Sequence, residues 1–157
     1  MTQNDMNDKQ KLLQYLESNH LMSLATLGTR LSTCTVYYAV DDNLNFYFIS
    51  EPESEHCRNI EMNKTVAFSI SDTGQKVTDK KVGIQGTGTA EEIRNVEKIK
   101  AMLSLWNATN SGFESVINFE NIKNKVIKSK TYRITPTELK FFNEELYGPE
   151  GIEVFKL

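Results

Sequence analysis

The sequence predicts a mainly β domain with helices, built as a six-stranded antiparallel barrel that is closed or nearly closed. Three observations lead there. Period-two runs rich in β-branched and aromatic residues recur along the chain. Short turns link the first three of these runs into a meander, the topology with the least loop to close. Helical periodicity is confined to the start of the chain and to the stretches after the third and fifth runs. Closure removes the exposed edges that an open six-stranded sheet would have to protect.

Each element follows in order. Residues 1–7 read as a flexible tail. Over residues 8–19, Leu12, Leu13, Tyr15 and Leu16 recur at helical spacing, which predicts a short amphipathic helix. Residues 21–27 (LMSLATL) form the first strand, with Met22, Leu24 and Thr26 on one face and Leu21, Ser23, Ala25 and Leu27 on the other. Gly28 and Thr29 turn the chain into residues 31–40 (LSTCTVYYAV), and Asp41-Asp42-Asn43 turns it again into residues 44–50. Pro52 breaks the sheet, and residues 54–62 read as a helix with Ser54 as N-cap. Residues 65–71 are a fourth strand, residues 72–81 a polar loop, and residues 82–93 a long strand in which Gly86 and Gly88 mark a bend or a close approach. Residues 94–110 form a helix with Val96, Ile99, Met102, Leu103 and Trp106 on one face. Residues 112–130 are irregular or hold one short helix. Residues 131–135 and 138–142, split by Pro136, give a bent last strand. Residues 143–157 are read as a tail with an apolar tip that docks on the body or on a partner chain. The whole of 1–157 is taken as one split-barrel domain.

Composition narrows the function. The chain has 157 residues, 39% of them hydrophobic and 25% charged, with 8 Gly and 3 Pro. That balance supports a core and excludes collagen-like or low-complexity character. A formal net charge of -3 argues against a general nucleic-acid binder. No apolar run approaches the ~20 residues of a membrane span, and mean hydropathy is -0.45. The opening MTQNDMNDKQ has no basic-then-apolar pattern of a secretory signal. Two cysteines, Cys34 and Cys57, are too few for a disulfide scaffold. These points predict a cytoplasmic protein without nucleic-acid or membrane partners.

The chemistry-bearing segment is Phe46 through Ile60. A strand ends at Ser50, a tight loop follows, and a helix opens at Ser54 with His56 and Arg58 close behind. Hydroxyls, cationic side chains and free helix-start amides are the components of a phosphate cradle. The same residues also fit a plain helix cap with a solvated histidine and arginine. Two histidines, His20 and His56, make no metal site. The chain has neither a P-loop nor a nucleophile elbow.

The order of LMSLATL, TCTVYYAV, LNFYFIS, the Ser54 helix start, TVAFSIS and VGIQGTGTAEEI resembles the pyridoxamine 5'-phosphate oxidase-like, FMN-binding split-barrel family. Within it the sequence looks closest to a YhbP-like branch, through Gly83-x-Gln85-x-x-Gly88 and the final YRITPTELKFF. The resemblance implies a homodimer of six-stranded split barrels with FMN in the grooves between subunits, and FAD or the deazaflavin F420 as related occupants. It implies that Ile49 and Ser50 at the end of the third strand, and Ser54 at the helix start, meet the phosphate. The family's arginine–lysine pair falls on Glu55 and His56, and its second-strand arginine on Thr33. Arg58 then stands as a compensating cation, with Arg30, Lys80 and Lys81 as others. Val36, Tyr37 and Tyr38 fall where the flavin ring is met, by an aromatic face and a hydroxyl donor or by backbone alone. Gln85 is placed to bond the ring's polar edge.

The function so implied is a flavin-binding protein, a flavin-dependent oxidoreductase acting on a small-molecule substrate. No catalytic side chain is identified, because the cofactor carries the chemistry in such enzymes. A dimeric binding or sensor module that has lost tight flavin binding is the alternative, favoured by Thr33 and by the Glu51, Glu53 and Glu55 cluster. A heme-handling variant, with His56 or His20 as ligand, is a third.

Overall fold

The structure, a computed structural model, describes residues 3–157. Met1 and Thr2 lie outside the described residues. The first helix, α1, runs Gln3–Glu17, so most of the segment expected as a tail is helical. Its Leu12 and Leu16 are fully buried against the barrel. The strands β1 (Leu21–Leu27), β2 (Leu31–Val40) and β3 (Phe46–Ser50) form the expected meander. Helix α2 (Glu55–Met62) follows, then β4 (Thr65–Ile70) and β5 (Val82–Glu92). Helices α3 (Val96–Thr109) and α4 (Phe119–Lys123) lie between β5 and β6 (Lys130–Asn143).

The strand order is β3-β2-β1-β4-β5-β6, and β3 also pairs with β6. That last pairing closes a six-stranded antiparallel barrel. Alternation sets its inside: Met22, Leu24, Tyr38, Phe46, Phe48, Phe68, Ile84 and Tyr132 fill the interior. Phe48 and Tyr132 stack there at 5.1 Å, across a ladder in which they are direct partners. A second, smaller cluster sits outside the barrel, where Met102, Leu103 and Trp106 of α3 cover Ala39.

Pro136 bends β6 without ending it. The register with β5 shifts between Thr87 and Gly88, so Gly88 faces Pro136 and Thr87 faces Glu138. A Cβ on Gly88 would sit 2.7 Å from the Pro136 Cα, so the close approach requires glycine there. The C-terminal segment is no tail. It forms the short helix α5 (Glu144–Tyr147) and a seventh strand, β7 (Ile152–Lys156), paired antiparallel to β6. No helix among the described residues is long and apolar enough to cross a membrane.

Candidate functional site

The end of β3 and the start of α2 meet at one mouth of the barrel. Ser50 shares the inward parity of Phe46 and Phe48, so its hydroxyl points along the barrel mouth toward α2. Pro52 and the turn at residues 51–54 then fold the chain back, with the Ser54 amide donating to the Glu51 carbonyl at 3.0 Å. His56 Nε2 lies 2.6 Å from Ser50 Oγ and 3.2 Å from Ser54 Oγ. The imidazole thus ties both hydroxyls to the first turn of α2. Ser54 occupies the N-cap position, but its side chain makes no cap hydrogen bond. The amides of the first helical turn are left without a side-chain acceptor, and the helix dipole adds positive potential there.

The acidic neighbours are matched by cations. Arg30, at the turn before β2, donates through Nε to Glu55 and holds its carboxyl below the usual glutamate range. Arg58 reaches Glu53 at 3.7 Å. Both arginines are therefore committed to carboxylates instead of standing free at the serines. Across the ladder from Ser50 stands Lys130, whose Nζ is 3.2 Å from Glu92 Oε2. Arg94 reaches the same carboxylate at 3.6 Å. Beneath them, Cys57 is fully buried and the Tyr132 hydroxyl is buried without a hydrogen-bond partner. Burial is the main force pushing the Tyr132 phenol upward, with Cys57 beside it.

The other sequence-derived residues fall elsewhere. Thr33 and Gln85 are exposed and line one shallow cavity of about 380 Å³ on the outer face of β1, β2, β4 and β5. Tyr37 is 57% exposed and outside the barrel, with its carbonyl accepting from Trp106 Nε1 at 3.3 Å. Tyr38 corrects an expectation, because its ring fills the barrel core and its hydroxyl donates to the Leu16 carbonyl at 2.6 Å. Burial raises its pKa far above the ordinary phenol value. Val36 is likewise turned inward, and the Tyr38 backbone is itself engaged, its amide donating to the His20 carbonyl at 3.1 Å and its carbonyl accepting from Asn110 Nδ2 at 3.0 Å. Ile49 packs half-buried beneath α3. Lys81 is on the β4–β5 loop, where its amide donates to Glu144.

Sequence reading missed the Lys130–Glu92–Arg94 group, because only the β3–β6 closure brings it to Ser50. No motif spacing signals it. It also missed the bond from Tyr47 to Asp41, 2.8 Å long, which together with burial pushes the Tyr47 phenol up to about 12.

A closed six-stranded antiparallel barrel with a polar mouth between β3 and α2 defines the split-barrel class. Residues 8–143 match the family described as Pyridoxamine 5'-phosphate oxidase, and the chain belongs to that family. The match is to the family as a whole and assigns no branch within it. No curated protein sequence matches the chain. Among solved structures, a conserved hypothetical protein from Mycobacterium tuberculosis is similar at 18% identity and TM-score 0.68, over 98% of this chain and 91% of that one. ChuZ from Campylobacter jejuni is similar at 15% identity and TM-score 0.74, over 99% of this chain and 61% of that one. HutZ from Vibrio cholerae, described as a heme storage protein, is similar at 12% identity and TM-score 0.63, over 94% and 92%. At these identities the likeness is one of fold.

Proposed function

We propose that this protein binds a flavin, FMN by preference, with the phosphate seated at the β3–α2 junction, and that it acts as a flavin-dependent oxidoreductase on a small molecule. The observation that carries this is the convergence of Ser50, Ser54 and His56 on the uncapped first turn of α2. A proton on Nε2 donates toward the serine oxygens and leaves both hydroxyl hydrogens free to face an anion. Pairing of Glu55 with Arg30 and of Glu53 with Arg58 offsets the repulsion those carboxylates would exert on a phosphate. When bound, the flavin supplies hydride and electron transfer, and the protein supplies position and hydrogen bonds.

The site belongs to a homodimer in this proposal. The outer face of the sheet carries Ser23, Ala25, Thr33, Ala67, Ser69 and Thr87, together with Glu138 and Lys140, which pair with each other at 3.6 Å. Leu27, Leu31 and Tyr37 stand exposed on the same face. A sheet surface of small residues, whose one acid and one base pair with each other, suits association with a second copy. Gln85 and Tyr37 then reach a flavin ring only from the assembled pair.

A second reading has an observation in its favour. Arg30 and Arg58 are paired with glutamates, and Thr33 brings no charge, so no arginine stands free at the serines. This favours a dimeric binding or sensor module with weak flavin affinity. The absorbance spectrum of the purified protein, before and after denaturation and with added FMN, FAD or F420, separates the two. A flavin band supports the first reading, and a colourless protein that ignores all three supports the second. A Soret band on heme titration would instead align this chain with its heme-storing neighbour, against the engagement of His56 Nε2 by two serines.

A further inference from the structure

We infer that the groove between the β3–α2 loop and the α3–α4 layer is a binding site for a small amphipathic carboxylate, separate from the flavin cradle. The groove has a volume of about 490 Å³, within the range of small-molecule sites. Its floor is aliphatic: Ile93, Ile99, Ile122 and Ile127 all line it, and each is only half-buried. Leaving such surface wet is costly, so a ligand with an apolar body gains by covering it.

The rim supplies the charge. Lys125 and Lys128 are exposed and pair with no carboxylate among the described residues. Arg94 and Lys130 share the single carboxylate of Glu92, at 3.6 and 3.2 Å. On the facing wall, Glu53 is drawn to Arg58 at 3.7 Å, outside the groove, which leaves Glu51 as the unmatched acid. Cations therefore outnumber available anions along the α4 side. An anionic head group there, with its body on the isoleucines, satisfies both surfaces.

The turn that presents Lys125 is held in place. Lys125 adopts φ 56, the left-handed region that non-glycine residues seldom enter. Its amide donates to the Ile122 carbonyl at 3.2 Å, and the Val126 amide donates to the Asn121 carbonyl at 2.9 Å. The Asn121 side-chain amide in turn donates to the carbonyls of Ser115 and Val116 at 3.1 and 2.8 Å. The lysine is thus displayed by a turn fixed from both sides.

Ser50, Ser54 and His56 do not line this groove. Lys130, the ladder partner of Ser50, forms the wall between the two. Calorimetric titration with octanoate and with 1-octanol tests the inference, since the two share an apolar body and differ in the head. Octanoate should bind at a single site, at least about tenfold more tightly than octanol, and more weakly as salt is raised. The Lys125→Gln/Lys128→Gln variant should lose about tenfold or more of the octanoate affinity while its FMN affinity and unfolding midpoint stay at the wild-type values. Ile127→Gln should weaken both ligands. Octanoate binding that is absent, no tighter than octanol, or unchanged in the lysine variant overturns the inference, whatever the outcome with FMN.

Discussion

Arg30, at the turn between β1 and β2, holds the carboxylate of Glu55 at the first residue of α2. The sequence places a glutamate where a phosphate site wants an arginine, and the fold answers from 25 residues away. The pairing lowers the carboxyl's pKa through the hydrogen bond first and the arginine's charge besides. Glu55 therefore stays ionised, but its charge is offset locally.

The pair makes a specific forecast for binding. Arg30→Met exposes the cradle to an unpaired carboxylate and should weaken FMN by about tenfold. Glu55→Gln alone should change affinity little, and Glu55→Gln in the Arg30→Met background should restore it. Fluorescence titration of FMN across this double-mutant cycle reads the coupling. Additive effects would show that Glu55 does not face the phosphate.

Tyr38 separates core from ligand. Its hydroxyl is buried against the Leu16 carbonyl, tying α1 to the barrel. Tyr38→Phe leaves that carbonyl only the longer bond from the Asn19 amide, at 3.4 Å, and should cost ~1 kcal/mol in urea unfolding. FMN affinity should stay unchanged, because Tyr38 is wholly buried.

A third forecast concerns acid. Arg133 donates to Glu91 at 2.6 Å and, with Lys64 adding charge, holds that carboxyl below the usual glutamate range. A carboxyl depressed in the folded state stabilises the fold above its unfolded value of about 4.3 and loses that contribution as pH falls through the folded value. Glu91 remains 44% exposed, so screening limits the pair to less than ~1 kcal/mol. Glu91→Gln should therefore reduce the stability lost as pH falls below about 5 in urea titrations. An unchanged acid limb would mean the pair is already open in solution.

Much of the barrel was legible because alternation is a strong signal. The faces of residues 21–27 follow directly from Met22, Leu24 and Thr26, and the turns at Gly28 and Asp41 fix the meander. The C-terminal strand was not legible. Ile152 and Val154 flank Glu153, but Phe155 follows directly and breaks the alternation, and strand β7 exists only because β6 offers an edge to pair with. The bend at Pro136 was legible, but the register shift opposite Gly88 that absorbs it was not. At the site, the serines and His56 could be read from their spacing. Lys130 and Glu92 could not, because 38 residues separate them and, although β5–β6 pairing joins the two, only barrel closure brings them to Ser50.

The outer face of the sheet carries its own forecast. Ala67→Arg places a long cation on that face, between Ala25 and Thr87 of the neighbouring strands. The variant should fold normally and sediment as a monomer, where the wild type is expected to sediment as a dimer. FMN binding should fall with dimerisation. A monomeric wild type would remove the assembly from the account.

The most direct measurement compares FMN with riboflavin, which lacks only the phosphate, on wild-type protein and on Ser50→Ala/Ser54→Ala. We expect FMN to bind at least about tenfold more tightly than riboflavin, and the serine variant to lose ~1–3 kcal/mol toward FMN alone. Equal affinities for the two flavins, or a gap that survives loss of both hydroxyls, would contradict a phosphate seat at the β3–α2 junction.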